Sequence, residues 1–240
     1  MPCLAPDWPA PAGIHAVVTL RHGGVSQGPY ASWNLAAHVG DDPAAVSRNR
    51  KLLYKRLHLP AEPVWLHQVH GNQVRRVDSV DSVLHEADAS FTSQADVVCA
   101  VLTADCLPVL LTDGETVAAV HAGWRGILAG IIENAINLPP WKQSPLVWLG
   151  PAIGSEAFEV GGEVQKAFLD RSGDFAPAFQ QSGQRFYADI YLLAKIVLNR
   201  LGVDTVFGGD FCTYSHPEDF FSYRRDGICG RMATLIWRSG

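Results

Sequence analysis

An α+β fold, with mixed β-sheets and helices packed outside, is the class the sequence predicts, and three observations predict it. Apolar β-rich runs come in hairpin pairs around turn residues, as in LPVLL-TDGE-TVAAVHA. Isolated helical segments lie between the hairpins without strict β-α alternation. No internal repeat, low-complexity tract or linker divides the 240 residues, so residues 1–240 read as one domain. With 48% apolar and 18% charged residues, that domain can bury a substantial core and is not disordered.

The elements follow in order. Residues 1–12 carry four prolines and read as an extended lead-in. GIHAVVTL (13–20) is a strand, followed by a loop of about twenty residues, VSQGPYASWNLAAHVGD, of a length that is often functional. Asp42-Pro43 opens a helix whose Val46, Leu53 and Leu57 share one face. PVWLHQVHG (63–71) and QVRRV (73–77) read as two strands around a Gly71-Asn72 turn. DVVCAVLTA, LPVLL and TVAAVHA are three further strands. WRGILAGIIENAINL (124–138) has helical length, and LVWLG (146–150) resumes as a strand. Helices are expected over 163–169 and from Asp189 to Leu201, with short closing strands near TVFG, FFSYRR and RMATLIW.

Composition excludes several functions. A formal charge of −5 offers no basic stripe for nucleic acid. No apolar run approaches the roughly 20 residues that span a bilayer, and the N-terminus lacks the basic and apolar regions of a signal peptide. Five scattered cysteines without a CxxC pair indicate neither a disulfide scaffold nor a zinc knuckle, and place the chain in a reducing cytoplasm.

Chemistry concentrates in the LPVLL/TVAAVHA hairpin. With 112–115 as its loop, 111 pairs with 116, Pro108 faces Ala119 and Cys106 faces His121. The β-carbons of that last pair would lie roughly 4.5–5.5 Å apart on one face. Three readings are open: a buried thiol beside a satisfied histidine, a Cys–His nucleophile pair, or two ligands of a metal such as zinc. Both residues stand at strand ends beside Gly-rich turns, which favours chemistry over packing but leaves nucleophile and ligand undecided. Catalytic zinc typically has three protein ligands, and WLHQVHG offers His67 and His70. On a strand these two point to opposite faces, so at most one belongs to the site. His70 has Gly71 beside it, where close approach is easy.

WLHQVHG, TADCLPV, VAAVHAGWRG, LGPAIG, FEVGGEV and FFSYRRD, in this order and spacing, resemble the YfiH-like family. The resemblance runs from RHGGVS near residue 21 to RMATLIW. Members bear names such as polyphenol oxidase or laccase-domain protein, purine nucleoside phosphorylase and peptidoglycan-editing factor. The resemblance implies a YfiH-like fold, akin to cytotoxic-necrotizing-factor-like hydrolases, with one zinc per chain bound by His70, Cys106 and His121. His67 would support that set from outside.

It also implies phosphorolysis of adenosine, inosine, guanosine or methylthioadenosine, and deamination of adenosine. Water on such a zinc reaches a pKa of about 7 and can attack C6 of adenine. The CxxC element of zinc deaminases is missing here. Phosphate would need arginines, and Arg21, Arg48, Arg125 and Arg225 are the candidates. Asn34 and Asp105 could meet sugar hydroxyls or orient a ligand, and Asp105 could equally contact backbone. The partners expected are purine nucleosides and phosphate, with a monomer favoured. Cu(2+) could replace zinc, but without an HxH pair laccase activity is secondary. The alternatives are a muropeptide-editing amidase, using the metal or Cys106 as nucleophile, and a non-catalytic metal-dependent binding module.

Overall fold

The computed structural model describes residues 3–79 and 85–240, and Met1 and Pro2 of the expected lead-in lie outside that range. Two sheets dominate. One has four antiparallel strands in the order Cys3–Leu4, Ile14–Thr19, Met232–Arg238, Cys99–Thr103. The other has six, in the order Val206–Gly208, Leu146–Leu149, Leu107–Thr112, Val117–Ala122, Ala89–Thr92, Val74–Arg76. The six-stranded sheet is antiparallel in the middle and parallel at both edges, so it is mixed as expected. The proline-rich lead-in is not idle: Cys3 and Leu4 pair with Thr19 and Val18 at the edge of the smaller sheet.

Burial on both faces explains why LPVLL is a continuous apolar run instead of an alternating one. Leu110, Val117 and Trp148 face the smaller sheet, meeting its Val18, Val101 and Ile236. Val109, Leu111 and Val120 face the opposite way, against Ile127 and Ile131 of the helices Trp124–Ala129 and Ile131–Asn137 and Leu193 and Val197 of Ile190–Arg200. The outer face of the smaller sheet, with Val17, Ala100 and Leu235, is covered by Leu53 of the Pro43–Arg56 helix and by Trp33 and Leu35 of the long loop. The layers therefore run helix, sheet, sheet, helix. Each fully buried leucine contributes on the order of 1.5–3 kcal/mol.

Four local expectations are corrected. The 63–71 and 73–77 segments do not form a hairpin; Leu66–His67 pairs in parallel with His85–Glu86, and Val74–Arg76 with the Ala89–Thr92 strand. The 124–138 helix is broken at Gly130, whose φ of 94° is the left-handed conformation glycine adopts without strain. FFSYRR holds a single helical turn, Tyr223–Asp226, because the Ser222 side chain accepts from the Arg225 N–H and caps it.

The fourth is the hairpin register. Leu107 pairs with Ala122, Pro108 with His121 and Thr112 with Val117, so the loop is 113–116. Asp113 decides this: its Oδ1 accepts from the N–H groups of Glu115 (3.0 Å) and Thr116 (2.8 Å), seating the turn one residue later. Pro108 loses nothing opposite His121, whose N–H points to the other neighbour and donates to Asp88 O at 2.7 Å. A slip that moves opposed positions by two keeps parity. Cys106 and His121 thus remain on one face, as diagonal instead of direct neighbours.

Candidate metal centre

The site lies where the Leu107–Thr112 strand begins and the Val117–Ala122 strand ends. Cys106 immediately precedes the first, His121 sits near the end of the second, and His70 reaches in from the loop before Val74. One potential ligand atom from each of these residues lies within 4.8 Å of the others. The rings of His70 and His121 are 4.8 Å apart at 76°. His121 is buried, Cys106 partly buried and His70 exposed, so the cluster opens to solvent on one side. Among the described residues this is the one His/Cys/Asp/Glu group so arranged. Two imidazoles and a thiolate are a donor set for zinc or copper, with room for a further ligand.

Backbone in the left-handed region delivers two of these side chains. His70 has φ 60°, and Asp105, next to Cys106, has φ 88°. Such conformations cost on the order of 1–3 kcal/mol in a non-glycine residue and persist only where neighbours enforce them. At Asp105 the neighbours are explicit. Its carboxylate accepts from Thr213 Oγ1 (2.6 Å) and from the Arg224 N–H (2.7 Å), while its carbonyl accepts from the Ile153 N–H (3.0 Å). Asp105 therefore makes the backbone contact foreseen for it.

Asp88, fully buried, holds the other two candidate ligands, His70 and His121. Its Oδ1 accepts from the His70 N–H (2.9 Å) and stands 2.7 Å from His121 Nδ1; its Oδ2 accepts from Gly71 N–H (2.7 Å) and Val69 N–H (3.3 Å). An ionised carboxylate only accepts, so His121 Nδ1 carries the proton and Nε2 is left for a metal. Burial opposes ionisation of Asp88, but the hydrogen bond and charge of His121, with the Gly71 and His70 N–H donors, hold its pKa below the usual value.

The ligands titrate as a pair. Burial alone would raise the Cys106 thiol, yet the two histidines bring it down to about 6. Burial would lower His121, yet the Cys106 thiolate and Asp88 raise it to about 9. Metal must displace one proton, that of His121, between about pH 6 and 9, and a second, that of Cys106, below about 6. The logarithm of zinc affinity is thus expected to rise with pH through the first window as His121 gives up its proton, and more steeply below it, where Cys106 is protonated as well. Competition titrations with a zinc chelator across that range check this.

Gly123 keeps the space clear. A Cβ there would stand 3.1 Å from Cys106 Sγ and 3.3 Å from His70 Cδ2. Gly123→Ala is expected to push both ligands aside and weaken zinc binding roughly tenfold, read by the same titration.

The cluster forms the floor of a cleft of about 520 Å³. Its walls include Trp124, Ile153, Phe158 and Tyr223, and its cations include Arg125, Arg224 and Arg231. Of the residues expected at a substrate site, Arg125 and Asp105 line it. The others are committed elsewhere. Arg21 donates to Pro217 O (2.8 Å) and lies over the Phe221 ring; Arg225 donates to Thr213 O (2.8 Å) and Phe220 O (2.9 Å) and pairs with Asp226. Asn34 is fully buried, with its amide bound to Ala36, Asp41 and the Arg231 N–H. Arg48 is exposed on the outer helix, 3.9 Å from Asp42. His67 is exposed and outside the three-residue cluster. Sequence reasoning missed Asp88, His38 and Arg231; it marked the Arg224-Arg225 pair as suited to a small anionic ligand but chose Arg225, and it is Arg224 that lines the cleft.

Comparison with known proteins places this geometry in a family. Residues 15–239 match the family model described as multi-copper polyphenol oxidoreductase laccase. Purine nucleoside phosphorylase YfiH of Escherichia coli K12 is 50% identical over 237 residues, 98% of each chain. A purine nucleoside phosphorylase of Pseudomonas aeruginosa is 52% identical over 239 residues, covering 98% of this chain and 97% of that one. A crystal structure of a Neisseria meningitidis DUF152 protein superposes over 100% of both chains with a TM-score of 0.95 and 46% identity. On the match across nearly its whole length, the chain belongs to this laccase-like family, the YfiH family that its motifs resemble.

Proposed function

We propose that this protein is a zinc-dependent purine nucleoside phosphorylase, taking adenosine, inosine, guanosine or methylthioadenosine. The observation that carries the reading is the convergence of His70, Cys106 and His121 on the floor of a cleft walled by aromatic rings and arginines. The names of the Escherichia coli and Pseudomonas relatives support it. His70, Cys106 and His121 would hold the zinc, which when bound supplies Lewis acidity and an activated water. Five unpaired cysteines suit the reducing cytoplasm we assign to it.

The remaining roles fall to the chain itself. Trp124, Phe158 and Tyr223 offer faces for a planar base. Asp88 fixes the His121 ring and the His70 backbone, so the cleft floor is preorganised. In the reaction a phosphate oxygen bonds to C1′ of the ribose while the C1′–N9 bond breaks. Its electron pair leaves with the purine, which takes up a proton, and ribose 1-phosphate is the second product.

Multi-copper oxidase chemistry is not our reading. A trinuclear copper cluster needs many histidines, and the described residues bring together two, with one cysteine.

Chromatography of zinc-loaded protein incubated with adenosine, with and without phosphate, tests the proposal. Adenine formed only with phosphate is the expected result. Inosine in both tubes would make the same cleft a deaminase, and untouched adenosine in both would end the nucleoside reading.

A further inference from the structure

Three arginines line the cleft without a carboxylate partner among the described residues. Arg125 makes no hydrogen bond there and stacks over its neighbour Trp124, 4.3 Å from the ring centre. Arg231 donates through one nitrogen only, to the carbonyls of Cys229 (2.8 Å) and Gly230 (3.0 Å) and to Cys229 Sγ (3.5 Å), and lies over the Tyr223 ring. Arg224 likewise uses one nitrogen, on Glu159 O (2.7 Å) and Ala157 O (3.5 Å). The acid in the cleft wall, Asp105, has both carboxylate oxygens engaged by Thr213 and the Arg224 backbone.

The same wall also holds His38, brought in by the long loop. Partial burial, then Arg231, His67, Arg50 and His70, hold its pKa below the usual value, and of these Arg231 and Arg50 are permanent cations from separate segments of the chain. Unneutralised guanidinium groups, each steadied by a ring or by backbone carbonyls, are suited to a doubly charged oxyanion, which they can bind through paired N–H donors.

We propose that Arg125 and Arg231, with Arg224 beside them, form the cleft's subsite for a phosphate-type oxyanion, either free phosphate or the phosphate of an ester. The identity of the anion rests on the phosphorylase reading, whereas the existence of the subsite rests on the arginines. In Arg224 and Arg231 the second guanidinium nitrogen makes no hydrogen bond among the described residues and is left for a ligand.

The test uses the zinc-loaded protein and radiolabelled inorganic phosphate in equilibrium dialysis. Arg125→Gln and Arg231→Gln are each expected to weaken phosphate binding about tenfold or more, with lysine at either position recovering part of it. Zinc content is expected to stay at the wild-type value, which shows that the fold and the metal site are intact. In turnover assays the KM for phosphate is expected to rise in the same proportion, and that for adenosine by less than about twofold. Displacement of bound phosphate by adenosine 5′-monophosphate would assign the subsite to ester phosphates as well; no displacement would assign it to free phosphate. Should phosphate bind as expected while adenosine is never cleaved, the subsite stands and the phosphorylase reading falls. Wild-type binding that is absent, or unchanged in both glutamine variants, overturns the subsite.

Discussion

If the proposed zinc phosphorylase reading holds, Cys106→Ala will drop the zinc content from about one ion per chain to below about a tenth, and nucleoside cleavage will fall to background with it. The thiolate is the anionic member of the cluster, and its removal leaves two imidazoles, one of them exposed. The fold is expected to survive. Cys106 sits just before the Leu107–Thr112 strand and is partly exposed, so the change opens little space in the core. Near-wild-type thermal unfolding in the zinc-free state would confirm that the loss is local. Adenosine cleavage that persists in zinc-free Cys106→Ala would show that neither the metal nor the thiol is needed.

Asp88→Asn will weaken zinc binding by about 10- to 100-fold although residue 88 touches no metal. Four donors converge on the two carboxylate oxygens: the N–H groups of Val69, His70 and Gly71, and His121 Nδ1. An amide can replace only one of those oxygens as an acceptor. Its NH2 group must then face an N–H, or turn His121 so that Nδ1 accepts and Nε2 carries the proton. Leaving buried donors unmatched costs about 1–3 kcal/mol, so stability in urea should fall as well. A Co(II)-substituted sample separates the two effects. An altered visible spectrum at full cobalt loading reports displaced ligands, whereas an unchanged spectrum would limit Asp88 to folding.

Much of this site could be read before the structure was known, for physical reasons that differ by residue. The Cys106–His121 juxtaposition survived an incorrect register because the side-chain period of a strand is two, and the slip was even. The Asx turn at Asp113 that set the true register was visible as Asp113-Gly114, but its seating depends on side-chain acceptors that a residue count ignores. His70 was taken from motif order, since its left-handed backbone leaves no trace in apolar periodicity. The helix over 124–138 was right in extent and wrong in continuity, and Gly130 was the available sign.

The arginines were the least legible. Arg225 and Arg224 are neighbours in one helical turn, yet Arg225 is spent on backbone carbonyls and Asp226 while Arg224 lines the cleft. Nothing in the local sequence separates them. Asp88 was equally silent, because a buried acid between Ala87 and Ala89 carries no motif until its four donors are brought to it.

Anomalous scattering at the zinc edge, from crystals of protein purified without chelator, tests the central claim most directly. The account predicts one strong peak per chain, about 2.3 Å from Cys106 Sγ and about 2.0–2.1 Å from a ring nitrogen of His70 and of His121, with the His121 contact through Nε2. No peak at these three residues, or a peak held by other side chains, would contradict it.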